Sequence, residues 1–140
     1  MVAGQMHDIE GTGQKLTLAE LQQLQAEKTG ALILAAVKMG AALAEVSFTQ
    51  ETKLTQFAQH FGRAFQIEDD LLDATSDAKS LGKPVHQDAA KNTYVTLLGL
   101  ASAQQALNQE IVAARAALAS IPNHELLASF LTYFQQGVQA

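Results

Sequence analysis

The sequence predicts an all-α fold, and three observations carry that expectation. Apolar residues recur at helical spacing over long stretches. Alanine, leucine and glutamine dominate, and all three are good helix formers. Only 2 prolines and 9 glycines interrupt 140 residues. No stretch alternates apolar and polar residues as a strand would. The length suits one domain, and a hydrophobic fraction of 48% supports a real core.

The elements follow in order. Residues 1–9 read like the inside of a helix without a start signal, ahead of a Gly11-Thr12-Gly13 turn. Thr17-Leu18-Ala19-Glu20 then forms a capping box, in which hydroxyl and carboxylate satisfy free backbone N–H groups reciprocally. A long helix is predicted over 17–46. Leu21, Leu24, Leu32, Ala35, Met39 and Leu43 line one face, and Ile33, Leu34 and Val37 make the opposite face apolar too. Such a helix is expected to be central and buried. Ser47-Phe48-Thr49 breaks it, with Thr49 as a cap for the next helix, which runs to about Asp73. Residues 74–88 form a polar loop punctuated by Gly82 and Pro84. A third helical stretch spans 92–120, kinked near Gly99 to Ser102, and Pro122-Asn123 starts a final helix through Gln136.

Composition excludes several function classes. A net charge of −5 argues against nucleic acid, whose binding rests on lysines and arginines paired with phosphates. The absence of cysteine removes disulfides and thiolate metal sites, and fits a reducing compartment. Residues 1–15 do not read as a signal peptide. The most apolar segment, Gly30 to Phe48, is broken by Lys38 and Glu45, so no run reaches the ~20 residues of a membrane span. A cytoplasmic protein is expected.

The strongest chemical signal is Gln66-Ile67-Glu68-Asp69-Asp70-Leu71-Leu72-Asp73. At about 100° per residue, Asp69 and Asp73 lie about 40° apart and one turn from each other. Their Cβ atoms should be ~6 Å apart, close enough to hold or flank a hard cation. Gln66 falls on the same face, whereas Asp70 points about 100° away from Asp69. A solvated acidic face is the alternative. Lys28 argues against it, because it sits on the apolar stripe, where a charge needs a partner anion. Lys83 follows Gly82 ten residues after Asp73. Carboxylates plus lysines suit an anion bridged by metal, and Mg²⁺ with a diphosphate fits best. His7, His60, His86 and His124 lack metal-binding spacing, and Gly11-Thr12-Gly13-Gln14-Lys15 has neither the preceding strand nor the spacing of a phosphate loop.

Together these motifs resemble the trans-polyprenyl diphosphate synthases, the farnesyl and geranylgeranyl diphosphate synthase family. Gly62-x-x-Phe65-Gln66-x-x-Asp69-Asp70-x-Leu72-Asp73 resembles the second aspartate-rich motif with its preceding Phe-Gln. Lys28-Thr29, Gly82-Lys83, Thr93-Tyr94 with Leu97-Leu98-Gly99-Leu100, and Gly4-Gln5 with Asp8 are similar to other family signatures, in the family's order. The resemblance covers residues 1 to about 120 and is closest to the farnesyl-type subgroup. It implies the C-terminal half of an isoprenoid-synthase-type helical bundle, as a single partial domain over 1–140. It also implies that Asp69 and Asp73 hold Mg²⁺, with Asp70 supporting. Lys28, Gln66 and Lys83 would bind the allylic diphosphate, and Lys28, Thr29 and Gln66 would lie beside the leaving group and the allylic cation.

Two departures bear on function. The family's first aspartate-rich motif and its basic pocket for isopentenyl diphosphate are not found in these 140 residues. The loop after Lys83, which carries Asp88 and Lys91, is about two residues shorter than the family's, with His86 where glycine is common. The expectation is therefore one half of a prenyltransferase, inactive alone. Its uncovered apolar face would be met by an N-terminal half or by self-association. A non-catalytic partner subunit of a complete synthase, or a helical interaction module, are the alternatives.

Overall fold

A computed structural model describes residues 1–10, 13–79 and 92–136, and the regular structure among them is entirely helical. Helix α1 spans Val2–Glu10. Helix α2 (Leu18–Gln25) starts at the expected capping box: the Thr17 amide donates to Glu20 Oε2 at 2.7 Å, and the Glu20 amide to Thr17 Oγ1 at 3.3 Å. It runs without a break into a π-helical turn, Ala26–Gly30, and then into α3 (Ala31–Leu43).

That π turn corrects the reading of 17–46 as one regular, buried, central helix. A π turn holds about one residue more than an α turn, so a stripe counted at 3.6 residues slips by about 100° on crossing it. Leu21 is buried, but Leu32 and Met39 are each 61% exposed and Leu43 is 88% exposed. The chain then turns at Glu45, with φ +49°, and the helix ends short of Val46. The cap of the next helix is Ser47, not Thr49: the Gln50 amide donates to Ser47 Oγ at 3.3 Å, and the Ser47 amide to Gln50 Oε1 at 2.9 Å.

Helix α4 (Phe48–Lys79) occupies the centre instead. It continues past the expected end at Asp73, so the loop is shorter at its start than the sequence suggested. Lys83, together with Gly82, Pro84, His86, Asp88 and Lys91, lies outside the described residues. Helices α5 (Tyr94–Leu98) and α6 (Leu100–Leu118) are separated at Gly99 by a full break rather than a kink. Gly99 has φ +79° and ψ +158°, a conformation essentially reserved for glycine. The expected last helix is two short ones, α7 (Glu125–Phe130) and α8 (Tyr133–Gln136), the first preceded by Asn123 at φ +53°.

The core lies between α4 and α6. Ala103, Leu107, Ile111, Ala114 and Leu118 form the buried stripe of α6, and Leu54, Phe57, Ala64, Ile67 and Leu71 that of α4. Leu21, Tyr94, Leu131 and Phe134 complete the core from α2, α5 and the C-terminal turns. Leu107 is fully buried; truncating such a leucine to alanine costs about 2–5 kcal/mol. At the rim, Glu110 of α6 accepts from Arg63 Nε at 2.9 Å and lies 2.7 Å from His60 Nδ1, tying α6 to α4.

Candidate functional site

Two elements bring the chemistry-bearing residues together. The first is the π turn, which carries Lys28 and Thr29, both half-buried. Helix α1 lies against it with backbone on backbone: a Cβ on Gly4 would come within 2.6 Å of Lys28 Cα and overlap the Lys28 amide nitrogen. Beside that crossing, His7 Nδ1 is 2.7 Å from Glu27 Oε2, and Gln23 Nε2 donates to Glu27 Oε1 at 2.5 Å. The hydrogen bond from Gln23, then that from His7, holds the Glu27 carboxyl below its ordinary range.

The second element is α4, which sorts the acidic run by direction. Asp69 and Asp73 are exposed, one turn apart. Glu68 is buried, and loss of water pushes its carboxyl up. Asp70 is half-buried and turned toward the chain that follows: its Oδ2 accepts the Tyr94 amide of α5 at 2.7 Å. Burial pushes the Asp70 carboxyl up to about 6, against the lowering effect of the Tyr94 hydrogen bond. Gln25, at the end of α2, is buried, and its Oε1 has no hydrogen-bond partner. Among the described residues no three histidine, cysteine, aspartate or glutamate side chains form a metal cluster.

Between the two elements opens an apolar cavity of about 480 Å³. Lys28, Thr29, Leu32 and Ile33 line it from the π turn and α3, Phe61 and Phe65 from α4, and Phe130 and Tyr133 from the C-terminal segment. Phe61, Phe65 and Asp69 are spaced four apart, so they climb one face of α4 by about 6 Å per step. The aromatic wall thus leads, one turn on, to the exposed aspartates. Gln66 is half-buried beside Phe65 and is not among the lining residues.

Sequence reading missed Gln25 and the roles of Phe130 and Tyr133. Gln25 had a signal, since a glutamine one turn after buried Leu21 breaks an apolar stripe. The bond from the Tyr94 amide to Asp70 spans 24 residues and had none. The donor set suits magnesium: two exposed carboxylates one turn apart offer hard oxygen ligands, and Mg²⁺ is usually held by one or two carboxylates with waters and phosphates.

The profile of the polyprenyl synthetase family matches residues 1–125. The chain belongs to that family. Curated family relatives include the farnesyl diphosphate synthase of Geobacillus stearothermophilus, 44% identical over 117 residues, covering 82% of this chain and 39% of that protein. The farnesyl diphosphate synthase of Micrococcus luteus is 37% identical over 136 residues, covering 95% of this chain and 47% of that protein. The crystal structure of a geranyltransferase from Helicobacter pylori, complexed with magnesium and isoprenyl diphosphate, superposes with a TM-score of 0.75 at 31% identity. That match covers 99% of this chain and 46% of the other. The chain therefore spans less than half the length of these relatives.

Proposed function

We propose that this chain supplies one half of the active site of a prenyltransferase that condenses isopentenyl diphosphate with an allylic diphosphate. The observation that carries the reading is the shared cavity: Lys28 and Thr29 stand on the wall of an apolar space whose opposite wall, Phe61 and Phe65, runs up α4 toward Asp69 and Asp73. An amphiphile with a hydrocarbon tail and a diphosphate head matches that polarity. The tail removes apolar surface from water against the phenylalanines, at about 25 cal/mol per Å². The head lies toward the lysine and the aspartates.

Asp69 and Asp73 would hold magnesium, which when bound offsets the charge of a departing diphosphate. Lys28 contributes a positive charge to the same group, and Lys83 is assigned the same role. Thr29, on the cavity wall, offers a hydroxyl beside the carbon that becomes positive as the leaving group departs; Gln66, which does not line the cavity, is given that role by the family motif alone. The aromatic side chains of the cavity provide electron-rich faces for that charge and keep water from the reacting carbon.

Calorimetric titration of the 140-residue chain with geranyl diphosphate, with and without Mg²⁺, tests this reading. Mg²⁺ alone should bind weakly and the pair together measurably. An Asp69→Ala, Asp73→Ala double variant should lose the magnesium-dependent component. Equal binding by that variant would remove the site from consideration.

A further inference from the structure

The apolar cavity has a polar end and an aromatic end, and the two helices that flank it fix which is which. Helices α3 and α4 are joined by a short turn over 44–47, so they run antiparallel. They meet at Gly30 and Gly62: a Cβ on Gly62 would lie 3.5 Å from Gly30 Cα and 3.7 Å from Ile33 Cδ1. Counting outward from that contact in opposite directions sets Lys28 and Thr29 at the level of Phe65, and Leu32 and Ile33 at that of Phe61. Phe65 is one turn from Asp69, and Phe61 is two turns away, about 12 Å down the axis. The lysine and the aspartates thus share one end of the cavity, and Phe61 stands at the other.

The C-terminal segment closes on Phe61. The Phe61 ring centroid is 6.5 Å from that of Phe130, edge-on, and 5.3 Å from that of Phe134. Leu131 and Phe134 are buried and anchor the segment in the core. Its backbone is turned by hydrogen bonds from the Leu131 amide to the Ala128 carbonyl at 3.1 Å and from the Thr132 amide to the Ser129 carbonyl at 3.0 Å. That anchoring leaves the other pair, Phe130 and Tyr133, on the cavity wall, 52% and 56% exposed. Rings left so open to water contribute little to the core, because stabilisation scales with the apolar area buried.

We infer that Phe130 and Tyr133 set the length of hydrocarbon tail that the cavity takes. They stand where a tail whose head lies at Lys28 and the aspartates would end. The inference rests on the function proposed above and adds to it the residues that select the tail. A tail that just reaches the pair buries its last carbons against the rings. A longer one must turn out into water, so its extra carbons gain nothing. Burying one further CH₂ is worth about fourfold in affinity, so even a half-buried isoprene unit adds about tenfold or more.

The test is a series of prenyl diphosphates of increasing tail (dimethylallyl, geranyl, farnesyl and geranylgeranyl), titrated with Mg²⁺ into the 140-residue chain. Affinity should climb about tenfold or more from dimethylallyl to geranyl and then level off, with farnesyl gaining less than about threefold. In a Phe130→Ala, Tyr133→Ala double variant, farnesyl should bind about tenfold tighter than geranyl, and geranyl within about threefold of its parent value. Phe130→Trp should act in the opposite direction and weaken farnesyl relative to geranyl, because the larger ring fills the end. Leu126→Ala, on the same segment but away from the cavity, should leave the profile unchanged.

A purely structural role for the two rings would lower all four affinities in proportion, together with the urea midpoint. That result, or a double variant whose tail profile matches the parent's, overturns the inference. So does a parent that gains at every step to geranylgeranyl. The alcohols geraniol and farnesol, titrated without Mg²⁺, keep the two readings apart. If Mg²⁺ adds nothing to diphosphate binding, the proposed function fails, and the alcohols, compared in the parent and the double variant, still decide whether the pair limits the tail. A chain that binds neither diphosphates nor alcohols refutes both.

Discussion

Gly4 and Lys28 touch through their backbones: helix α1 crosses the π turn where any side chain on Gly4 would overlap the Lys28 amide nitrogen. The element that presents Lys28, proposed above to meet the diphosphate, is thus pressed by a residue 24 positions earlier. The atoms in the way are backbone, which cannot swing aside as a side chain could.

A Gly4→Ala substitution should therefore displace either α1 or the π turn. Overpacking of this kind costs about 1–3 kcal/mol, measurable as a lower urea midpoint. Binding of geranyl diphosphate with Mg²⁺ should weaken in the same variant. Gly40→Ala is the control, because a Cβ there meets nothing within 4 Å. It should be neutral or stabilising by up to about 1 kcal/mol, from helix propensity.

The pH dependence of stability should carry the mark of Asp70. Its ordinary value of 3.8 is raised to about 6 by burial. Between those values the folded chain binds more protons than the unfolded one, so stability falls as pH rises through the window. Glu68, raised by its own burial, acts in the same direction. Glu20 and Glu27 are lowered and act with the opposite sign, but only below about pH 4.5. In buffer containing a chelator, Tm should rise as pH is brought from 7 toward 5. Asp70→Asn should flatten that rise.

Self-association is the next expectation. Val2, Met6 and Ile9 on α1 and Leu32, Met39 and Leu43 on α3 are exposed, as is Phe48 at the start of α4. Exposed apolar surface on this scale favours association. Sedimentation velocity should show a concentration-dependent mass, reduced by Leu43→Glu with Phe48→Glu. A monodisperse monomer would count against a role for these faces as contact surfaces.

The 140-residue chain alone should make no prenyl product from Mg²⁺, isopentenyl diphosphate and geranyl diphosphate. The residues expected to position the acceptor are not among these 140. Positioning and electrostatic stabilisation are each typically worth several kcal/mol of barrier. Co-expression with the N-terminal half of a related synthase should restore some product formation, and Lys28→Ala or Asp69→Ala should abolish it. Turnover by the purified chain at rates near those of an intact synthase would refute the expectation.

The sequence by itself determined whatever depends on residues close along the chain. The all-α class followed from composition and periodicity. The Thr17–Glu20 box is local hydrogen bonding over three residues, and the one-turn spacing of Asp69 and Asp73 is helix geometry. Each is set by the backbone's own repeat, so counting residues suffices. The tertiary structure alone decided where that counting fails. The π turn at Ala26–Gly30 exchanges one hydrogen-bonding register for another, which shifts Leu32 and Met39 off the face that buries Leu21. The direction of Asp70 is decided by the Tyr94 amide 24 residues away, once α4 and α5 have packed. A repeat of 3.6 residues can place a carboxylate on a helix. Which partner claims it depends on the neighbouring elements, because a half-buried carboxylate takes the donors that packing leaves within reach.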